Sequence, residues 1–307
     1  MKVLVTGGAG FIGSHIADRL INENHSVVIV DNLSTGKRNY VNPKAAFHQI
    51  DITDFNALEE VFKTEKPDIV DHHAAQVNVR VSMTDPDMDA KINIMGSLNV
   101  LKCALRFNVK KFIFASTGGA IYGEPENLPV SEYTPTNPLS PYGLAKLTVE
   151  NYIKILSNLN GLPFTILRYS NVYGPRQIVK GESGVIALFT QRMLEGKVPV
   201  IFGDGTHTRD YVYVSDVVDA NILALNGGTG KTFNIGTASR VDVNEVYDKL
   251  ESHLKSGIKP EFGDEIPGEV HHIALDYGYI HGEMGWEPKV NFENGVKFTV
   301  DYYRENV

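Results

Sequence analysis

A single cysteine, Cys103, stands in 307 residues, which excludes an internal disulfide. It lies in the helical-looking run NVLKCALRF, where buried filler is the expected role rather than a reactive thiol. Long apolar runs are missing as well: nothing approaches the roughly 18 consecutive apolar residues of a bilayer span. Positive charge is not in excess. The formal net charge of −8 gives no basic face of the kind that nucleic acid or a membrane surface requires, although it leaves room for a local basic pocket that takes a small anion. No apolar leader or small-residue cleavage site precedes the opening strand pattern MKVLVTGG, so a cytoplasmic location is the expectation. There is no internal repeat, low-complexity tract or flexible linker.

What is there reads as an ordinary globular chain, 42 % hydrophobic and 21 % charged, and longer than one small core usually organises. The runs KVLVTG, SVVIVD, IVDHHA, KFIFAS and FTILRY are almost continuously apolar and rich in β-branched and aromatic residues, the pattern of strands covered on both faces. Helical patterns near 11–23, 54–65, 86–107 and 141–160 separate them. Such alternation implies right-handed crossovers and an α/β fold, a Rossmann-type doubly wound parallel sheet. Beyond about residue 170 the loops YGPRQIVKGESG, FGDGTHTRD and FGDEIPGE separate shorter elements. We expect a dinucleotide-binding domain over 1–170, with segments near 209–237 returning to it. Residues 171–307 would mainly form a smaller substrate-binding region that closes a cleft over the carboxyl ends of the strands.

The stretch TGGAGFIG places Gly7, Gly10 and Gly13 three apart between the first strand and the first helix. Glycine permits the tight turn and the close approach of a pyrophosphate. The amides at the helix start, Phe11 and Ile12 among them, suit its charge. The second strand ends VVIVD, with Asp31 followed by Asn32. A carboxylate there suits the adenosine ribose of NAD and repels the extra phosphate of NADP; the competing reading is a structural glycine turn and a surface aspartate. The pair ID at 50–51 would end a third strand, where Asp51 and Ile52 could meet the adenine or simply cap the next helix. In HAA, Ala74 and Ala75 leave room for a cofactor, or are small only for packing.

In SPYGLAK, Tyr142 and Lys146 fall one turn apart on a helix that Pro141 can begin. Alone, they are a surface pair. Beside a dinucleotide they answer a need, because hydride leaving an alcohol carbon requires a base for the hydroxyl proton. A free phenol, with a pKa of about 10, is the wrong base; an adjacent ammonium and an oxidised nicotinamide would both favour its phenolate.

Together TGGAGFIG, YGLAK and STGGAIYG resemble the extended short-chain dehydrogenase/reductase family. HAAQVNVR, KINIMGSLNVL, LRYSNVYGPRQ, GDGTHTRDYVYVSDV and MGWEPKV extend the likeness over the whole chain, toward nucleotide-sugar epimerases of the UDP-glucose 4-epimerase type. That resemblance implies NAD as cofactor and a UDP-sugar as substrate. Tyr142 would take the C4 hydroxyl proton while hydride leaves C4, and the 4-keto sugar would turn over and take the same hydride on its other face. It implies Asn93 and Tyr169 around the cofactor, and Asn171 and Arg209 on the diphosphate. From the residues alone, Arg209 could instead pair with Asp210, and Asn171 could be a turn former. Relatives form homodimers through a helix bundle; the stripe Ile92, Met95, Leu98 and Leu101 could serve this or face only the monomer's own sheet.

Some positions depart from the family's pattern. The family usually carries Ser or Thr where Gly118 stands, so Thr117 is expected to supply the third catalytic hydroxyl at the substrate, with Ser116 or a water beside Gly118 as stand-ins. The related 4,6-dehydratases carry an acidic pair where Gly118 and Gly119 stand, and two glycines cannot provide acid–base groups for losing water. Ile266 replaces a diphosphate arginine. Ile273 lies near a position that gates bulky sugar substituents, where a residue smaller than tyrosine could admit N-acetylated sugars; UDP-N-acetylhexosamine and UDP-uronic acid are the alternative substrates. A dinucleotide sensor without turnover is the non-catalytic alternative. His271 and His272 read as loop histidines, and no metal site is expected.

Overall fold

The computed structural model describes residues 1–179, 184–265 and 270–306; Ile266 lies outside them. Seven strands make the central sheet: β1 (Lys2–Thr6), β2 (Ser26–Val30), β3 (Ala46–His48), β4 (Ile69–His72), β5 (Lys111–Thr117), β6 (Phe164–Tyr169) and a seventh at Lys231–Ile235. From one edge the order is the seventh strand, β6, β5, β4, β1, β2, β3, and every neighbouring pair is parallel. The winding reverses between β1 and β4, and their carboxyl ends open the crevice where such sheets take ligands.

The apolar strands follow from burial on both faces. Val3, Val5, Ile29, Ile113, Leu167 and Phe233 point into one cluster, beneath the helices Phe11–Asn22 and Val214–Ala224. Their alternates Leu4, Val28, Val70, Phe112, Phe114 and Ile166 point into another, beneath Phe55–Glu65, Ser97–Arg106 and Pro141–Asn160. Cys103 is filler in that second cluster, and burial pushes its thiol up to about 12. The third strand is shorter than expected. It is an edge strand that ends at His48, where Ile50 N–H turns back onto the His48 carbonyl (3.1 Å), so Asp51 and Ile52 lie in the turn beyond it.

The 86–107 helix is broken into Pro86–Ala90, a wide π-helical turn Lys91–Gly96 and Ser97–Arg106. Leu98 and Leu101 are buried in the monomer, whereas Met95 is 51 % exposed. On Pro141–Asn160, Leu144, Ile155 and Leu159 are exposed too. No helix among the described residues is long and apolar enough to cross a membrane.

A third cluster, including Tyr173, Ile186, Phe189, Tyr211, Val246 and Val296, is the core of the smaller region. Phe11, at the start of the first helix, packs against it, and His15 Nε2–H donates to the Pro175 carbonyl (2.9 Å). The two regions therefore meet at the start of that helix.

One buried ion pair joins the elements that matter most. Glu150, on Pro141–Asn160, is fully buried and accepts two bonds from Arg168 of β6, from Nε to Oε1 (2.9 Å) and from Nη2 to Oε2 (2.7 Å). Ser116 Oγ of β5 donates to Oε1 (2.6 Å). Arg168 Nη1 donates to the Tyr122 hydroxyl (2.8 Å), which donates to Asn234 Oδ1 (2.8 Å) on the seventh strand. A bidentate pair with its remaining sites satisfied offsets its own desolvation; removing one charge strands the other. Glu150→Gln is therefore expected to destabilise the protein by about 3–5 kcal/mol in urea unfolding. Lys154→Ala, which removes the half-exposed lysine 3.4 Å from the same carboxylate, is expected to cost less than about 1 kcal/mol. Equal effects would mean that Glu150–Arg168 does not organise the fold.

Candidate active site

The glycine loop is shaped for a backbone-lined cradle. Gly7 has φ +68°, and a Cβ there would lie 2.8 Å from the Ala74 nitrogen; a Cβ on Gly13 would lie 2.4 Å from the Gly7 carbonyl oxygen. Both close approaches need glycine. Gly10 caps the first helix without a side-chain hydrogen bond, which leaves first-turn amides such as those of Phe11 and Ile12 to an anion. Ile12 also packs on the first apolar cluster. Ala74 and Ala75, half-buried, border the loop from the end of β4.

At the end of β2, Asp31 accepts from Ala9 N–H (3.0 Å) and Leu33 N–H (2.8 Å). Burial pushes its carboxyl up against the pull of these amides. Asn32 Nδ2 donates to Asp51 Oδ2 (2.7 Å) across the rim, and Asp51 Oδ1 accepts from the Thr53 amide and hydroxyl. Asp51 thus caps the turn and also lies at the rim with Asn32. The Ile52 side chain is buried in the second cluster under Gly96, so only its backbone is left for an adenine. The cradle fits a dinucleotide: glycines where a Cβ would intrude, uncapped helix amides, and a carboxylate at the end of β2.

The floor is a hydrogen-bond chain that the sequence did not reveal. Thr6 Oγ1 accepts from the amides of His73 (3.1 Å) and Ala74 (3.0 Å), so its proton goes to His72 Nδ1 (2.6 Å). That assigns the proton of His72 to Nε2, which donates to Ser97 Oγ (2.8 Å), and Ser97 donates to the Asn93 carbonyl (2.5 Å). Burial, with Lys146 and His73, holds His72 well below its usual range, as a neutral imidazole. The Asn93 side chain, expected beside the cofactor, clamps Gln76 at both N–H and C=O (2.9 Å each) and Asp89 (2.8 Å) instead. Tyr169 stacks under His73 (6.1 Å, 14°), and its hydroxyl is engaged by Asn221. Its phenol is not offered to the cleft.

Lys146 is buried, its Nζ donating to the Ala115 carbonyl (2.9 Å) at 4.9 Å from the Phe114 ring centre. Burial lowers it to about 8, against the pull of Asp89 and Glu150. Tyr142 is raised to about 12, first by burial and then by Asp89, while Thr117 pulls the other way, so Lys146 alone does not bring the phenol down. Asp89 went unnoticed in the sequence. It precedes Asn93 by one helical turn, is buried, and accepts from Asn93 Nδ2 and Gln76 Nε2; the signal was the spacing DAKIN.

Thr117 ends β5 and is half-buried. A Cβ built on Gly119 would lie 4.0 Å from Thr117 Oγ1 and 3.5 Å from Asn171 Oδ1, so the two polar groups flank the same space. Asn171 Oδ1 is buried without a hydrogen-bond partner, an acceptor waiting for a donor. Ser116 is committed to Glu150 and cannot stand in. Gly118 is filled from outside: a Cβ there would meet Leu275 Cδ1 at 2.3 Å. Ile273 is buried with Ile121, Tyr122 and Val130. Arg209 does not pair with Asp210, whose carboxylate takes Thr237 and the Leu275 amide; its Nη1 bonds the carbonyls of Thr208 and His271 (3.1 Å each).

These features match known proteins. The chain is 47 % identical over 304 residues to a putative UDP-glucose 4-epimerase of Methanocaldococcus jannaschii, covering 99 % of each. A crystal structure of the Thermotoga maritima UDP-glucose 4-epimerase with UDP-glucose superposes with a TM-score of 0.98 at 47 % identity over 99 % of each chain. That of the Thermus thermophilus UDP-glucose 4-epimerase with NAD gives 0.95 at 41 % identity over 100 % of each. Residues 3–236 match the model of one family across the sheet, the glycine loop and the Tyr142–Lys146 helix, and the chain belongs to that family, the NAD dependent epimerase/dehydratase family.

Proposed function

We propose that the protein interconverts UDP-glucose and UDP-galactose, with NAD held in the cradle of Gly7, Gly10 and Gly13 and by Asp31. The observation that carries this reading is the convergence of Tyr142, Lys146, Thr117 and Asn171 on the crevice end of β5, beside that cradle. The likeness to UDP-glucose 4-epimerases over the whole chain supports it. Bound NAD supplies a hydride acceptor that returns what it takes, and its oxidised ring adds a positive charge.

The residues do the rest. Tyr142 takes the C4 hydroxyl proton and later returns it to the other face. With its phenol raised to about 12, it needs positive charge nearby to act as a base near neutral pH. Lys146, about 8, is mostly protonated at neutral pH and supplies the resident share. Thr117 and Asn171 orient the hydroxyl and the ketone it becomes, and Arg209 takes the diphosphate, for which its fork geometry suits it. Met95, Leu144, Ile155 and Leu159 leave an apolar stripe that supports a homodimer. A cytoplasmic location belongs to this reading.

Incubation with UDP-galactose should yield UDP-glucose. Tyr142→Phe should lower kcat by about 10²–10⁴-fold while mass spectrometry of the denatured protein still finds NAD; unchanged turnover would remove the proposed base. Deprotonating Lys146 removes the resident cation, so kcat/KM should fall as pH rises through about 8, and a flat alkaline profile would contradict this role. Thr117→Val should reduce kcat by about 10²-fold. Gly118→Ser, which forces its Cβ to 2.3 Å from Leu275, should lower Tm without raising kcat, and adding Leu275→Ala should restore Tm. A faster Gly118→Ser enzyme would move the third hydroxyl away from Thr117.

A further inference from the structure

The two adjacent histidines part company in the structure. His272 Nδ1 bonds Thr208 Oγ1 (2.9 Å), while His271 turns toward His207, which precedes it by 64 positions, and toward Glu265. Their rings meet edge to face at 4.6 Å. Both Nε2 atoms aim at one oxygen, Glu265 Oε1, at 3.3 Å from His207 and 3.2 Å from His271. The three donor atoms lie within 4.8 Å of one another. We propose that His207, His271 and Glu265 bind a first-row divalent metal ion of the zinc type, a site separate from the sugar chemistry.

Two observations favour a metal over a plain hydrogen-bonded cluster. Charge-assisted N–H···O bonds run at about 2.7–2.9 Å, shorter than either contact. Ligands about 2.0–2.1 Å from a tetrahedral zinc stand about 3.3–3.4 Å apart, close to the two nitrogen-to-carboxylate distances of 3.3 and 3.2 Å. Second, Glu124 Oε1 lies 3.3 Å from His271 Nδ1 and also accepts the His271 amide. A carboxylate on the far nitrogen fixes the tautomer and turns Nε2 outward as a ligand. Two imidazoles and one carboxylate select zinc, cobalt or nickel over magnesium or calcium. The exposure of His271 and Glu265 (52 % and 58 %) leaves a fourth position to solvent. The ion would clip the turn at His207 to the chain at 265 and 271, and so stabilise the region that carries Arg209.

The test uses the full chain after chelator treatment, with Zn²⁺ titrated by calorimetry and Co²⁺ followed by its visible absorption. The expected result is one ion per chain, a tetrahedral cobalt spectrum, and a Tm that rises with Zn²⁺. His207→Ala and the exposed-site change Glu265→Gln should each weaken binding by about tenfold or more, and the His207→Ala/His271→Ala protein should show no Tm rise. Absence of binding at millimolar Zn²⁺, or binding and spectra unchanged in the double variant, would overturn the proposal.

Discussion

The site depends on where Glu150 is held. It lies one turn beyond Lys146 and two beyond Tyr142 on a single helix, so the three side chains share a face. Locking Glu150 onto Arg168 of β6 and Ser116 of β5 sets the rotation of that helix against the sheet. Once rotation is set, Lys146 must point at the Ala115 carbonyl, and Tyr142 must sit where Thr117 acts on it. The carboxylate has a second effect, since its charge opposes the desolvation that lowers Lys146. One buried anion thus both aims the helix Pro141–Asn160 and helps to keep its lysine charged.

Protonation in the crevice follows from burial more than from neighbours. Three groups lie in or under it, His72 and Lys146 buried and Tyr142 half-buried, and each is driven toward its neutral form: His72 well down, Lys146 to about 8 and Tyr142 to about 12. A low-polarity pocket is costly for any single charge. It also makes a second, opposite charge more effective when one arrives. Such a site keeps its phenol protonated while nothing positive faces it, and responds strongly to a bound cation. The inert His72 chain, with its tautomer fixed from Thr6 to Asn93, keeps proton traffic away from the floor.

Much of this was legible in the sequence, for physical reasons. Parallel strands buried on both faces have to be apolar throughout, so β1, β2, β4, β5 and β6 announced themselves, and Pro141 marked the start of Pro141–Asn160. The end of the edge strand Ala46–His48 did not, because one open side lets AFHQIDIT mix polar and apolar residues, and the strand pattern runs on to Asp51. The glycine loop and the Tyr–Lys spacing were readable because they are local. The raised phenol was not, because it depends on burial and on Asp89, which reaches the site from another helix. Nor was the partnership of His207, Glu265 and His271, three residues that only folding brings together. Asn93 and Tyr169 carry matching positions but spend their polar groups on Gln76 and Asn221, which spacing along a chain cannot foretell.

The glycines after β5 narrow the chemistry further. Eliminating water from a sugar needs an acid and a base placed beyond the carbon that is oxidised. At Gly118 and Gly119 the chain offers neither, and Leu275 occupies the volume that a side chain on Gly118 would claim. Among the described residues, the polar groups at that end include Thr117, the unpartnered Asn171 oxygen and Tyr142. A hydroxyl and an amide can hold a ketone; they cannot strip a proton from carbon. A sugar oxidised in this crevice meets no acid–base side chain at Gly118 and Gly119, and reduction back to the alcohol needs none there. The packing of a leucine against a glycine therefore favours epimerisation over elimination.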